Sequence, residues 1–185
     1  NESIRKRALL ASDEAERVKH LMEEILLYAK PLRLESKRLD LKELINYSMA
    51  LVKSDFDQKN LHFELLSSDN NIFVIADREK LIQVVLNLLQ NAIQASEQGG
   101  TVVVILSRDP VSGWILMEIN NHGEMIPAEL LRKVFEPFYT TRAHGTGLGL
   151  NIVKRIVEAH GGEINASSGE DSGTTFKLSL PSAAE

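Results

Sequence analysis

Residues 78–98 constrain the fold more than any other stretch of this 185-residue chain. Leu81, Val84, Val85, Leu88, Leu89, Ala92, Ile93 and Ala95 recur at helical spacing and cover most of a helix circumference. A helix of this kind needs partners on most sides, and Gly99 and Gly100 end it. Its one polar stripe is Asn87, Asn91 and Gln94. Asn87 and Asn91 stand one turn apart, so their carboxamide oxygens can converge on a point. Neutral oxygen donors suit a hard cation such as Mg²⁺ held mainly by phosphates and water. A partly exposed or internally hydrogen-bonded stripe is the plainer alternative, and the helix taken alone favours it.

The flanking segments supply the partners. Asp40 with Glu43 at N3 reads as an N-cap opening a helix over about residues 41–54, after a short, mixed, basic segment at 32–39. Residues 61–66 and 72–76 read as a strand hairpin around Ser67, Ser68, Asp69, Asn70 and Asn71. A second hairpin joins 101–107 to 114–119 around Asp109, Pro110 and Gly113. Residues 121–146 form a long loop with one helical turn near Leu130, and a helix over about 148–160 stops at Gly161 and Gly162. Strands at 164–167 and 174–180 close the chain, and no internal repeat is visible. The expected class is α+β: a two-layer sandwich with helices on one face of a mixed, mostly antiparallel sheet.

Ahead of it, Ile4, Ala8, Ala11, Ala15, Val18, Met22, Ile25 and Ala29 form an a/d heptad seam that Pro31 ends. This predicts one long coiled-coil-like helix over 1–31 and a domain over 32–185. An amphipathic helix packed on its own domain would show the same period. The narrow, Ala-rich seam favours half of a helical hairpin or one strand of a dimeric bundle, because small residues suit close helix approach.

With 43% hydrophobic and 25% charged residues the chain can bury a core. Lys+Arg 21 against Asp+Glu 26, a net charge of −5, argues against a nucleic-acid partner. No apolar run reaches the roughly 18 residues of a membrane helix, so no membrane contact is expected from these residues. The absence of cysteine excludes disulfides and thiolate metal sites and fits a reducing compartment. A cytoplasmic location is the default expectation, and a membrane anchor elsewhere in a longer parent protein is compatible with it.

Gly145, Thr146, Gly147, Leu148, Gly149 and Leu150 stand where the long loop enters a helix with Ile152, Val153, Ile156 and Val157 on its inner face. Glycines there let the backbone approach an anion, and the first helical amides point at it. Leu150 at the third-glycine position of a dinucleotide fingerprint, and the lack of Gly-Lys-Ser/Thr, disfavour two common nucleotide folds. A flexible hinge is the alternative reading of this motif by itself.

The order of the pieces decides between these readings. An asparagine helix, the strand-end turn Asn121, His122, Gly123, the loop Phe135, Glu136, Pro137, Phe138, the GxGxG helix start and Gly173, Thr174, Thr175, Phe176 follow one another. This set resembles the ATP-binding domain of bacterial sensor histidine kinases, in particular their nitrogen-regulation and oxygen-sensing subgroup. That domain has the Bergerat fold, shared with gyrase, a heat-shock chaperone and mismatch-repair ATPases. The resemblance covers essentially the whole chain and implies the second helix of a dimerisation hairpin in 1–31 and the catalytic domain in 32–185. It implies ATP and Mg²⁺ as cofactors, with Asn91 the metal ligand and Asn87 near the phosphates. By the same resemblance Asn121 and Thr174 lie near the adenine, and Gly123 and Ile126 belong to the same nucleotide site. Gln94, Phe135, Thr141, Arg142, Gly145, Thr146, Gly147, Leu148 and Gly149 complete the nucleotide site. Arg142 reads either as an added phosphate contact or as an exposed lid arginine. A homodimer through the N-terminal helix of the full-length protein and a response-regulator receiver domain are the implied partners.

Two departures stand in the first glycine box, where the family shows Asp-x-Gly-x-Gly and this chain has Asn121, His122, Gly123, Glu124, Met125. The oxygen of Asn121 can still accept from an adenine amine, without the charge that would strengthen the bond. Met125 removes a permissive backbone position at the root of the lid. His122 reads as a surface turn residue. Asn87 stands where hydrolytic relatives carry glutamate, and a carboxamide cannot act as a general base.

None of the five histidines fits the family's acceptor motif. His20 is followed by Leu21 and Met22, His62 lies in a strand, His144 in the lid, and His160 at a helix end, where a cation would favour the dipole. The expectation is a chain that binds ATP and needs an acceptor histidine from outside it. A hydrolytic ATPase of the same fold, or an impaired kinase serving as a dimerisation or docking module, are the alternatives.

Overall fold

Asp40 caps the first helix of the domain as expected, its carboxylate accepting from the amides of Lys42 at 2.8 Å and Glu43 at 3.3 Å. In the computed structural model the described residues are 32–69, 72–142, 145–183 and, within the first 31, residues 5, 7, 11, 15, 18, 19, 22, 25 and 26. Among these the elements run β1 (Lys37–Asp40), α1 (Leu41–Leu51), α2 (Lys53–Gln58), β2 (His62–Ser67), β3 (Phe73–Ala76) and α3 (Arg78–Ala95). β4 (Thr101–Arg108), β5 (Ile115–Asn121), two 3-10 turns at Ala128–Leu130 and Lys133–Phe135, α4 (Gly149–Ala159), β6 (Glu163–Gly169) and β7 (Gly173–Leu180) follow.

The main sheet has the order β2-β4-β5-β7-β6, with β2 parallel to β4 and the other pairs antiparallel. Along β5, Ile115, Met117, Ile119 and Asn121 are buried while Leu116, Glu118 and Asn120 are only half-buried. One face of the sheet therefore carries the helices. α3 packs between α1 and α4 and lies on β5, while α4 also covers β6. On the other face Glu118 and its register partner Lys177 pair at 2.8 Å. The eight buried apolar residues of α3, from Leu81 to Ile93, account for its placement at the centre of the core. Each large one contributes about 1.5–3 kcal/mol by leaving water.

Several expectations are corrected. The segments 61–66 and 72–76 do not form a hairpin: β2 pairs with β4, and β3 pairs with β1 in a separate two-stranded ribbon. β2 and β3 thus belong to different sheets. The basic segment 32–39 supplies that ribbon's other strand, with Arg38 stacked 3.9 Å over the Phe73 ring. The helix expected over 41–54 breaks at Val52, where the amide turns to the Met49 carbonyl, and resumes as α2. Phe56 of α2 is buried edge-on against Phe63, with ring centroids 6.0 Å apart.

α3 ends at Ala95 rather than at residue 98 because other groups take its last carbonyls. Lys59 Nζ donates to the carbonyls of Ile93, Gln94 and Ser96 at 2.7, 3.1 and 3.0 Å, placing a cation on the negative end of the helix. His160 caps the end of α4, as expected, and joins it to a second segment. Its Nε2 accepts from the Asp77 amide at 2.9 Å and its Nδ1 lies 2.8 Å from the Ile156 carbonyl. An amide can only donate and a carbonyl only accept, so these two contacts match the Nδ1–H tautomer.

Of the seam, Ala11, Ala15, Val18, Met22 and Ile25 are helical, with Val18, Met22 and Ile25 exposed at 52%, 58% and 42%. Ile4, Ala8, Ala29, Pro31, His20 and His144 lie outside the described residues. Among the described residues no helix is long and apolar enough to cross a membrane.

Candidate functional site

The site grows from the C-terminal half of α3. Asn87 and Asn91 are half-buried and Gln94 is exposed, all on the stripe that the apolar residues leave. Three contacts bring distant segments to this stripe. Asn87 Nδ2 reaches the Gly149 carbonyl at the start of α4 at 3.5 Å. Arg142, in the loop before α4, donates through Nη1 to Asn91 Oδ1 at 3.0 Å and also to Gln94 Oε1. The Glu124 amide, just after β5, donates to the Ala95 carbonyl at 3.1 Å.

That last contact depends on Gly123, where an added Cβ would lie 1.9 Å from the Ala95 carbonyl oxygen. Only a residue without a side chain lets the end of β5 dock on α3 this closely. Asn121 closes β5 beside Thr174 of β7, both buried. The Thr174 hydroxyl is 2.7 Å from Ser168 Oγ, which accepts from the Ile126 amide at 3.0 Å. Asn121, Ile126 and Thr174 are thus gathered at one end of the sheet, whereas Nδ2 of Asn121 is buried without a hydrogen-bond partner.

The long loop is tied down at two points. Phe135 is buried edge-on against Phe176, and its carbonyl accepts from Asn151 Nδ2 at 2.9 Å. At Gly147, with φ +69°, a Cβ would fall 2.4 Å from the Phe138 carbonyl carbon and 2.7 Å from the Tyr139 amide. The two loop motifs are therefore stacked backbone to backbone. α4 then begins at Gly149 without a side-chain cap on its first turn, which leaves amides free to meet an anion.

Leu148 contributes only backbone: its side chain is fully buried and its amide turns to Thr146 Oγ1 at 3.3 Å. Thr141, Arg142 and Gly145 are exposed on the loop, with the Arg142 amide donating to Thr140 Oγ1 at 3.1 Å. Partial desolvation lowers the proton affinity of the Arg142 guanidinium, and the Glu124 carboxylate works against this shift. His122 sits in an exposed turn 3.3 Å from the Asp171 carbonyl, as its sequence position suggests. Asn151 and Ser168 escaped the motif reading. Asn151 is the polar residue just inside a glycine-led helix start, and Ser168 is in register with Thr174.

The chain resembles known proteins in both sequence and fold. The family model described as histidine kinase-, DNA gyrase B-, and HSP90-like ATPase matches residues 76–184. The sensor histidine kinase ZraS of Escherichia coli K12 is 38% identical over 174 residues, covering 94% of this chain and 37% of that protein. The chain thus spans less than half the length of that relative. The solved catalytic domain of the histidine kinase ThkA is 35% identical with a TM-score of 0.72, over 80% of this chain and 95% of that one. A structure of ThkA in complex with the response regulator protein TrrA is 32% identical with a TM-score of 0.80, over 94% of this chain and 50% of that one.

Proposed function

Since the chain belongs to the histidine kinase-, DNA gyrase B-, and HSP90-like ATPase family, among the histidine kinase catalytic domains, we propose that it binds Mg–ATP and donates the γ-phosphoryl to a histidine. That histidine lies outside these 185 residues, on a dimerisation helix, and the phosphoryl passes on to a response-regulator aspartate. The observation that carries this reading is the start of α4, uncapped by any side chain and hydrogen-bonded to Asn87. It sets anion-binding amides beside the carboxamide stripe, the arrangement a triphosphate needs.

In this reading the base lies by Asn121, Gly123, Ile126 and Thr174. The phosphates face Asn87, the glycine-rich backbone of 145–149 and the first-turn amides of α4, with Gln94, Thr141 and Arg142 at the rim and Phe135 beneath. The residues fit Mg²⁺. Asn91 Oδ1 already faces a cationic group, and no cluster of three His, Cys, Asp or Glu exists among the described residues. A metal would then be held by Asn91, phosphate oxygens and water, as Mg²⁺ prefers. It would neutralise charge on the transferring group. Asn87 offers no base, so water is not activated and transfer rests on alignment with the acceptor imidazole. The exposed seam of Val18, Met22 and Ile25 supports a dimer through residues 1–31, and ATP use fits a cytoplasmic position.

Calorimetric titration of ATP with and without Mg²⁺, then phosphotransfer to a supplied acceptor helix bearing the histidine, tests the proposal. Saturable Mg²⁺-dependent binding and label on the helix are expected. Binding followed by steady phosphate release without transfer would favour a hydrolase. No binding by the folded chain would leave a docking module.

A further inference from the structure

Asn121 is 2% exposed and its amide nitrogen is buried without an acceptor. It continues the inward row of Ile115, Met117 and Ile119 along β5, so it is the polar end of an apolar wall, at the edge where Gly123 docks on α3. Buried NH₂ groups find partners in native proteins, and one left over asks for a ligand that brings an acceptor.

Resting on the reading of this cleft as a purine nucleotide site, we propose that Asn121 reads the Watson–Crick edge of the base with both halves of its carboxamide. 6-Oxopurine nucleotides then bind here beside ATP. A carboxamide is donor and acceptor at once. Against adenine, Oδ1 accepts from the N6 amine and Nδ2 donates to N1. Against a 6-oxopurine, Oδ1 accepts from N1–H and Nδ2 donates to O6. The two pairings differ by a half-turn of a planar amide whose ends are nearly equal in size. A carboxylate in this place offers acceptors only and would set a negative oxygen against O6. The adjacent Thr174 and Ser168 hydroxyls, 2.7 Å apart, can each donate or accept, so they accommodate both edges.

Competition between ATP and inosine triphosphate for the 185-residue chain, read by displacement calorimetry, tests this on the unaltered protein and on Asn121→Asp. Inosine triphosphate is expected to bind within about tenfold of ATP, and the aspartate to widen the preference for ATP by about tenfold or more. A wider gap in the unaltered protein overturns the proposal and leaves the nucleotide site standing. An unchanged ratio in a folded Asn121→Asp overturns the assignment to Asn121. Failure of both nucleotides to bind overturns this proposal together with the functional reading. Should Asn121→Asp not fold, the ratio in the unaltered protein decides.

Discussion

Arg142 Nη1 and Asn91 Oδ1 are joined by a 3.0 Å hydrogen bond across 51 residues of sequence. In the proposed Mg–ATP site this carboxamide oxygen is the one a metal would use, so guanidinium and metal would compete for one acceptor. Arg142→Ala is expected to raise the ratio of ATP affinity with Mg²⁺ to that without it by about fivefold, the value of one net hydrogen bond near 1 kcal/mol. Asn91→Ala should flatten the ratio to about one. Titrations at saturating Mg²⁺ and in chelator measure both, and an unchanged ratio in Arg142→Ala would refute the competition.

Gly123→Ala forces a methyl group onto the Ala95 carbonyl, and backbone rather than a mobile side chain has to give way. A cost of about 1–3 kcal/mol is expected for such overpacking, which lowers the melting temperature by roughly 2–12 °C. ATP affinity should fall as well, because the docking of β5 on α3 shapes the site. A calorimetric melt and one titration check this; unaltered values for both would contradict it.

His160 couples α4 to the loop before α3 through both nitrogens of its ring. His160→Ala leaves the Asp77 amide without its acceptor, at an expected loss of about 1–3 kcal/mol in urea unfolding. Because His160 stands at the opposite end of α4 from Gly149, ATP affinity of the folded variant should stay within about twofold of the original. A large loss of affinity with unchanged stability would show that the ring serves the site.

The Asp77 carboxyl has a pKa below its ordinary 3.8. Burial opposes its charge, but amide hydrogen bonds from Glu35 and Lys80 and the nearby Lys80 charge outweigh it. Its contribution to stability is complete above the unfolded value of about 3.9 and is lost as pH falls through the lower folded value. Asp77→Asn should therefore show a shallower fall in melting temperature below about pH 4.5 than the unaltered chain. Parallel slopes in acid melts would remove Asp77 from the account.

What was legible in the sequence is what the backbone alone imposes. The polar stripe of α3, Gly123, and the glycines from 145 to 149 announce themselves because their roles depend on a helix period or on a missing side chain. The partner of β2 was hidden, since Ser67 to Asn71 signal that the chain turns without saying which strand comes next. β1 was hidden for a related reason: Lys37–Asp40 has no alternation, and it becomes a strand because Phe73–Ala76 lies beside it. Lys59, Asn151 and Ser168 act across tertiary contacts of 34, 16 and 42 residues, and no local pattern encodes such pairings.

The parallel pairing of β2 with β4 bears on how the molecule assembles. Antiparallel neighbours such as β4 and β5 can zip from a tight turn, but β2 reaches β4 only after the intervening chain has crossed over the sheet. That intervening chain contains α3, so pairing at this edge of the sheet is non-local and spans the carboxamide-bearing helix. Nucleotide added to a refolding chain should accordingly act after the hairpins are in place, slowing unfolding more than it speeds folding.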